Sequence, residues 1–163
     1  MDLVVELWCK VEQSGAKWVI IMFMGEYNHA IDDKGRIIMP SKFRDGLSNE
    51  FVITRGMDCC LAIYPIGAWK EIISHYQQLP NTKDARSFMR FLISGASTVS
   101  IDKQGRVNIP SSLSMYASLN KDCSIIGVDD HIEIWNTEIW NKYLSDNEPN
   151  IADIADKLFS KSL

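Results

Sequence analysis

The chain has 163 residues, 46% hydrophobic and 23% charged, an ordinary globular composition that supplies a core for one domain or two small ones. Its formal net charge of −4 excludes a uniformly basic surface, so nucleic-acid binding would need a local patch that an oligomer could multiply. Cys9, Cys59, Cys60 and Cys123 form no C-x-x-C pair and have no histidine at zinc spacing, which argues against a zinc site and leaves small buried thiols in a reducing cytoplasm.

The chain begins Met1-Asp2 and carries Glu6, without the basic start of a signal peptide. The apolar run 18–24 falls far short of the ~20 residues that span a bilayer. This reading expects a soluble cytoplasmic protein with no membrane partner. Residues 1–21 read as an atypical, poorly ordered extension in which 3–8 could pack opportunistically. Lys10-Val11-Glu12, Ser14-Gly15 and Lys17-Trp18 can each be encoded across GTGG, about ten nucleotides and so one DNA turn apart. A translated operator would look so; codon degeneracy leaves coincidence open.

Residues 26–31 read as a strand entering the turn Asp32-Asp33-Lys34-Gly35. Asp bonds its own backbone two residues on, and Gly tolerates positive φ. A short strand over 36–39 would complete a β-hairpin. Pro40-Ser41 opens a short helix, proline in the first turn and serine as a cap. A strand over 51–54, a Gly56-Met57-Asp58 turn and an alternating strand ending at Tyr64 follow, then a helix over 66–78. Pro80-Asn81 breaks the chain. Residues 83–93 read as another helix, with Phe88, Phe91 and Leu92 on one face.

The same order then recurs. Ile31-Asp32-Asp33-Lys34-Gly35-Arg36-Ile37-Ile38-Met39-Pro40-Ser41 matches Ile101-Asp102-Lys103-Gln104-Gly105-Arg106-Val107-Asn108-Ile109-Pro110-Ser111. More weakly, 56–64 answers 127–135, with Gly56 set against Gly127 and one residue inserted between the blocks. Helix is expected again over 137–144. In the tail, Ile151, Ile154, Ala155, Leu158 and Phe159 fall on one helical stripe. A copy of about 50 residues is marginal for a core of its own. Two copies packed together would form one pseudo-twofold body.

Arg36 and Arg106 follow the two turns, and each offers a planar fork of donors suited to phosphate or guanine O6/N7. Lys34 and Lys103 add charge within the turns; Lys42 and Arg44 lie on the following helix. Asp32 and Asp102 read as structural acids that pair with the arginines, and Gly35 and Gly105 as the residues that permit the turn. Lys34 is answered by Gln104, and Lys42 and Arg44 by Ser112 and Ser114, so the first copy should contribute more phosphate contact and salt dependence. His29, His75 and His131 carry no catalytic motif, and no G-x-S-x-G, Walker or dinucleotide fingerprint occurs. The expectation is a protein that is not an enzyme, with no catalytic residue, metal, cofactor or small-molecule substrate. Trp69 and Trp140 are expected to pack helices against the body or a neighbouring subunit.

Met22-Phe23-Met24-Gly25-Glu26-Tyr27, then His29-Ala30-Ile31-Asp32 and Lys34-Gly35-Arg36, resembles the start of MraZ proteins. The stretch 56–61, the second Asp102/Arg106 block and His131-Ile132-Glu133-Ile134-Trp135 are similar too, so the resemblance covers about 22–143. It implies a mixed α+β, β-rich fold of two tandem SpoVT/AbrB-type repeats. These would span 22–80 and 94–148, with a linking helix at 81–93 and a C-terminal tail at 149–163. Their hairpins would interleave into a pseudo-twofold swapped-hairpin barrel with flanking helices. The resemblance further implies a nucleoid-associated, DNA-binding transcriptional regulator of the division and cell-wall gene cluster. It would bind short direct repeats upstream of its own operon as a ring-shaped homo-oligomer, with the Asp-x-x-x-Arg motifs at the DNA. The alternative is an AbrB-like antitoxin or transition-state regulator; those usually carry one copy and dimerise.

Overall fold

The computed structural model describes residues 22–160; the expectations for 1–21 lie outside the described residues. The first copy contributes β1 (Phe23–Ala30), β2 (Arg36–Ile38), α1 (Ser41–Leu47), β3 (Glu50–Arg55), β4 (Leu61–Pro65), α2 (Ile66–Tyr76) and α3 (Lys83–Ser94). The second repeats the order: β5 (Ser97–Ser100), β6 (Arg106–Asn108), α4 (Ser111–Tyr116), β7 (Asp122–Asp129), β8 (His131–Asn136), α5 (Thr137–Asn147) and, after a 3₁₀ turn, α6 (Ile151–Phe159).

Pairing is antiparallel and crosses between the copies. A six-stranded sheet runs β1-β7-β8-β4-β3-β5, and β2 pairs with β6 in a separate two-stranded ladder. Exchanging each strand for its counterpart reverses the sheet order onto itself, with β4 and β8 meeting at the centre. The simple β1–β2 and β5–β6 hairpins expected from sequence are not what forms. The arms touch at the turn, where Asp32 N donates to Arg36 O and Asp102 N to Arg106 O. Then β1 departs to pair with β7 along its whole length, and β5 with β3. The pairings leave β1 and β5 as edges, so no closed barrel is seen among the described residues.

β3, β4 and β8 lie inside the sheet and carry buried residues on both faces, most of them β-branched or aromatic. On one side Phe43, Leu47 and Leu113 from the short helices meet Ile37, Val107, Ile53, Ile63, Ile125 and Ile134 in the main core. Phe23 and Tyr27 of β1 meet the Phe43 ring edge-on. A second cluster joins Cys60, Ile126 and Trp135 to Ile139 and Trp140 of α5. Trp69 packs on Tyr64 and Trp140 on Trp135, so both tryptophans seat helices on strands, as expected.

Caps and turns depart from the reading in three places. Ser41 and Ser111 do not cap; Pro40 and Pro110 hold the N-cap positions, and no side chain closes those ends. Capping by side chain occurs instead at Thr82 for α3 and Asn136 for α5. Cys59 is not the buried thiol expected: it is exposed in the β3–β4 turn at φ +63, whereas Cys60 is buried. Pairing sets Phe51 against Pro65 and Cys123 against Asn136, so Gly127 corresponds to Arg55 rather than Gly56. The inserted residue seen in sequence is the net of a longer α4–β7 connection and a tighter β7–β8 turn.

Candidate nucleic-acid interface

The two turns share one hydrogen-bond pattern. Asp32 Oδ1 accepts from Lys34 N and Arg36 N, both at 2.9 Å, and Oδ2 from Arg36 Nε at 2.7 Å. Asp102 Oδ1 accepts from Gln104 N and Arg106 N at 2.9 Å, and Oδ2 from Arg106 Nε at 2.7 Å. Gly35 and Gly105 sit at φ +75 and +79, where a side chain would be strained. The copies lock together there: Ile109 N donates to Gly35 O, and Met39 N to Gly105 O. The backbone N–H of Arg36, then its guanidinium and the N–H of Lys34, hold Asp32 below its ordinary carboxylate value despite partial desolvation. Asp102 is lowered by the same groups of Arg106 and Gln104. Each aspartate is thus saturated by its own turn, and each arginine is aimed by its aspartate.

The ladder sets Arg36 opposite Asn108, Ile37 opposite Val107 and Ile38 opposite Arg106. Opposed residues share a face and neighbours along a strand alternate. Ile37 and Val107 are fully buried, so Arg36, Ile38, Arg106 and Asn108 form the outer face. Arg36 and Arg106 stand diagonally, about 7–8 Å apart at the backbone. Their Nε atoms are committed. The Nη atoms of Arg36 have no partner among the described residues, whereas Arg106 Nη2 reaches Gln104 Oε1 at 3.3 Å.

The remaining candidates divide. Lys34 and Lys103 are exposed in the turns, at the two ends of this face. Lys42 is exposed on α1. Arg44 is half-buried: its Nε donates to Met39 O at 2.8 Å, and its guanidinium lies over Gly105, so it ties the first copy's helix to the second copy's turn. Its counterpart Ser114 leaves Oγ buried without a hydrogen bond. Sequence reading missed Asn108 and Ile38 as surface residues of this face. Their signal is alternation around Ile37 and Val107, which three-residue strands display only once.

Among the described residues no cluster of three His, Cys, Asp or Glu side chains could hold a metal ion. No helix there is long and apolar enough to cross a membrane. A protein-family model described as "MraZ protein, putative antitoxin-like" matches the chain twice in tandem, over residues 22–91 and 92–161.

Proposed function

The chain belongs to the MraZ family, and from that premise we propose that it is an AbrB-like transcriptional regulator rather than an enzyme, a sequence-specific DNA-binding regulator of the division and cell-wall gene cluster. It binds short direct repeats upstream of its own operon as a ring-shaped homo-oligomer, in the cytoplasm at the nucleoid. One observation carries the DNA contact: Arg36 and Arg106 emerge side by side on the outer face of β2–β6, each aimed by an aspartate that the turn itself neutralises. A two-stranded ribbon of this kind fits the major groove.

In this reading Arg36 and Arg106 meet base edges or phosphates, and Lys34, Lys103 and Lys42 meet phosphates. Arg44 holds the second turn and offers its outer donors to the backbone of the duplex. Asp32, Gly35, Asp102 and Gly105 shape the turns. Residues 22–80 and 94–148 act as the repeats, 81–93 as the link and 149–163 as the tail. The crossing of β1 to β7 and β5 to β3 supports a swapped-hairpin arrangement of the AbrB kind, open rather than closed. The alternative, an AbrB-like antitoxin or transition-state regulator, would usually carry one copy and dimerise; the dimer of single copies it would need is already supplied here within one chain.

The decisive test is a mobility shift on the DNA upstream of the protein's own gene. Arg36→Ala should abolish the shift at concentrations where the native chain is saturated; unchanged affinity would remove the DNA-contact assignment. One subunit offers few cations on this face, so avidity must supply affinity. Operators with several boxes should therefore bind far more tightly than those with one, and equal binding would sink the ring reading.

A further inference from the structure

The β2–β6 ladder repeats its backbone about a pseudo-twofold axis but not its outward chemistry. Arg36 corresponds to Arg106, and Ile38 to Asn108. One half of the face therefore sets a guanidinium directly opposite a carboxamide, and the other sets a guanidinium opposite a bare aliphatic side chain. The arginines differ as well. Gln104 accepts from Arg106, whereas Lys34 at the matching place offers Arg36 no acceptor.

Neither Asn108 nor Ile38 belongs to the buried core. Asparagine is disfavoured in strands, and the exposed Asn108 side chain makes no hydrogen bond among the described residues. Ile38 is 43% exposed on an otherwise polar face, while its neighbour Ile37 fills the core. The face is thus unequal where the backbone is alike, and the inequality is turned outward.

We propose that Asn108 is a base-reading residue; this rests on the DNA-binding reading above. Its carboxamide takes the N6/N7 edge of an adenine in the major groove, beside the guanine edge taken by the open fork of Arg36. Ile38 presents an apolar surface to a thymine methyl beside Arg106. Opposed residues lie about 5 Å apart and the arginines about 7–8 Å, against about 3.4 Å per base step. One ladder therefore spans roughly three base pairs. A symmetric ladder would favour a palindrome. The Asn108/Ile38 difference instead gives the site a direction, so that copies arranged around an assembly select boxes running head to tail.

The test uses the full chain, natural and with N108A, N108I or I38N. The natural chain first selects a duplex from a library with a randomised core. Each base pair of that duplex is then substituted in turn, and binding is measured by fluorescence anisotropy at fixed salt. For the natural chain, one A·T position should lose about tenfold or more in affinity when replaced. N108A and N108I should flatten that position alone, keeping the other preferences, the salt slope and the melting temperature. I38N should gain a preference for A·T at the mirrored position. Uniform weakening of N108A on every duplex, or an unchanged preference profile, would overturn the role of Asn108 while leaving DNA binding intact. Failure of the natural chain to select any duplex would overturn both.

Discussion

Asp32 and Asp102 bring negative charge to a face read as meeting phosphates, and their geometry resolves the conflict. Each carboxylate is filled by two turn amides and an arginine Nε, so its charge is spent within the turn. This yields a prediction opposite in sign to simple charge counting. Asp32→Ala removes a negative charge, yet it should weaken DNA binding nearly as much as Arg36→Ala, because the guanidinium loses its aim; a mobility shift checks it, and tighter binding would refute the positioning role. The same aspartates set an acid limit. Their folded values lie below the ordinary 3.8, so their contribution is complete above that value and disappears as pH falls below it. His131 has the opposite sign. Burial opposes its charge, but Asp130 at 2.7 Å and Glu133 at 3.4 Å outweigh burial and raise it to about 9 from 6.5. Its contribution is complete below pH 6.5 and is lost as pH rises through about 9. Melting temperature should accordingly fall between pH 7 and 10, and His131→Asn should flatten that part of the profile.

Alternation and turn chemistry mark β3, β4, α3 and the two Asp-x-x-Gly turns nearly to their ends. Which strand pairs with which is not written there. Period-two alternation says which face of a strand is buried, not which neighbour lies beside it; β1 and β2 look like a hairpin in sequence and become one only for a single hydrogen bond. The site was legible for the same reason that the hairpin was not: Asp32, Gly35 and Arg36 interact locally, whereas the placement of Arg36 against Asn108 depends on the other copy. Gly127 reports that long-range partner. A Cβ there would collide with the backbone of Phe23 and Met24, which cannot swing aside, so β1 lies against β7 only because the residue is glycine. Gly127→Ala should destabilise by about 1–3 kcal/mol through overpacking, read as a lowered urea midpoint. Gly105→Ala meets the Arg44 guanidinium rather than backbone, so a cost of about 1–2 kcal/mol from the left-handed backbone should be joined by loss of the tie that Arg44 makes to this turn.

The two copies should fold as one unit, because they share every sheet contact at the edges and the centre. β1 depends on β7, β5 on β3, β2 on β6, and β4 meets β8. Cutting the chain between α3 and β5 would strip the first half of the partners of β1, β2 and one side of β3 and β4. It would expose Ile37, Ile53 and Ile63, which are fully buried in the intact chain. Neither half retains a sheet beyond one long hairpin, β3–β4 or β7–β8, and isolated hairpins are marginal in water. Each half alone should therefore show little ordered sheet by circular dichroism at low micromolar concentration. Equimolar mixing should restore the sheet signal and one cooperative melt whose midpoint rises with concentration, since association is now intermolecular. A half that melts cooperatively as a monomer with a full sheet signal would mean that the crossing pairs decorate two independent domains, and the shared Arg36/Arg106 face would lose the coupling that holds it together.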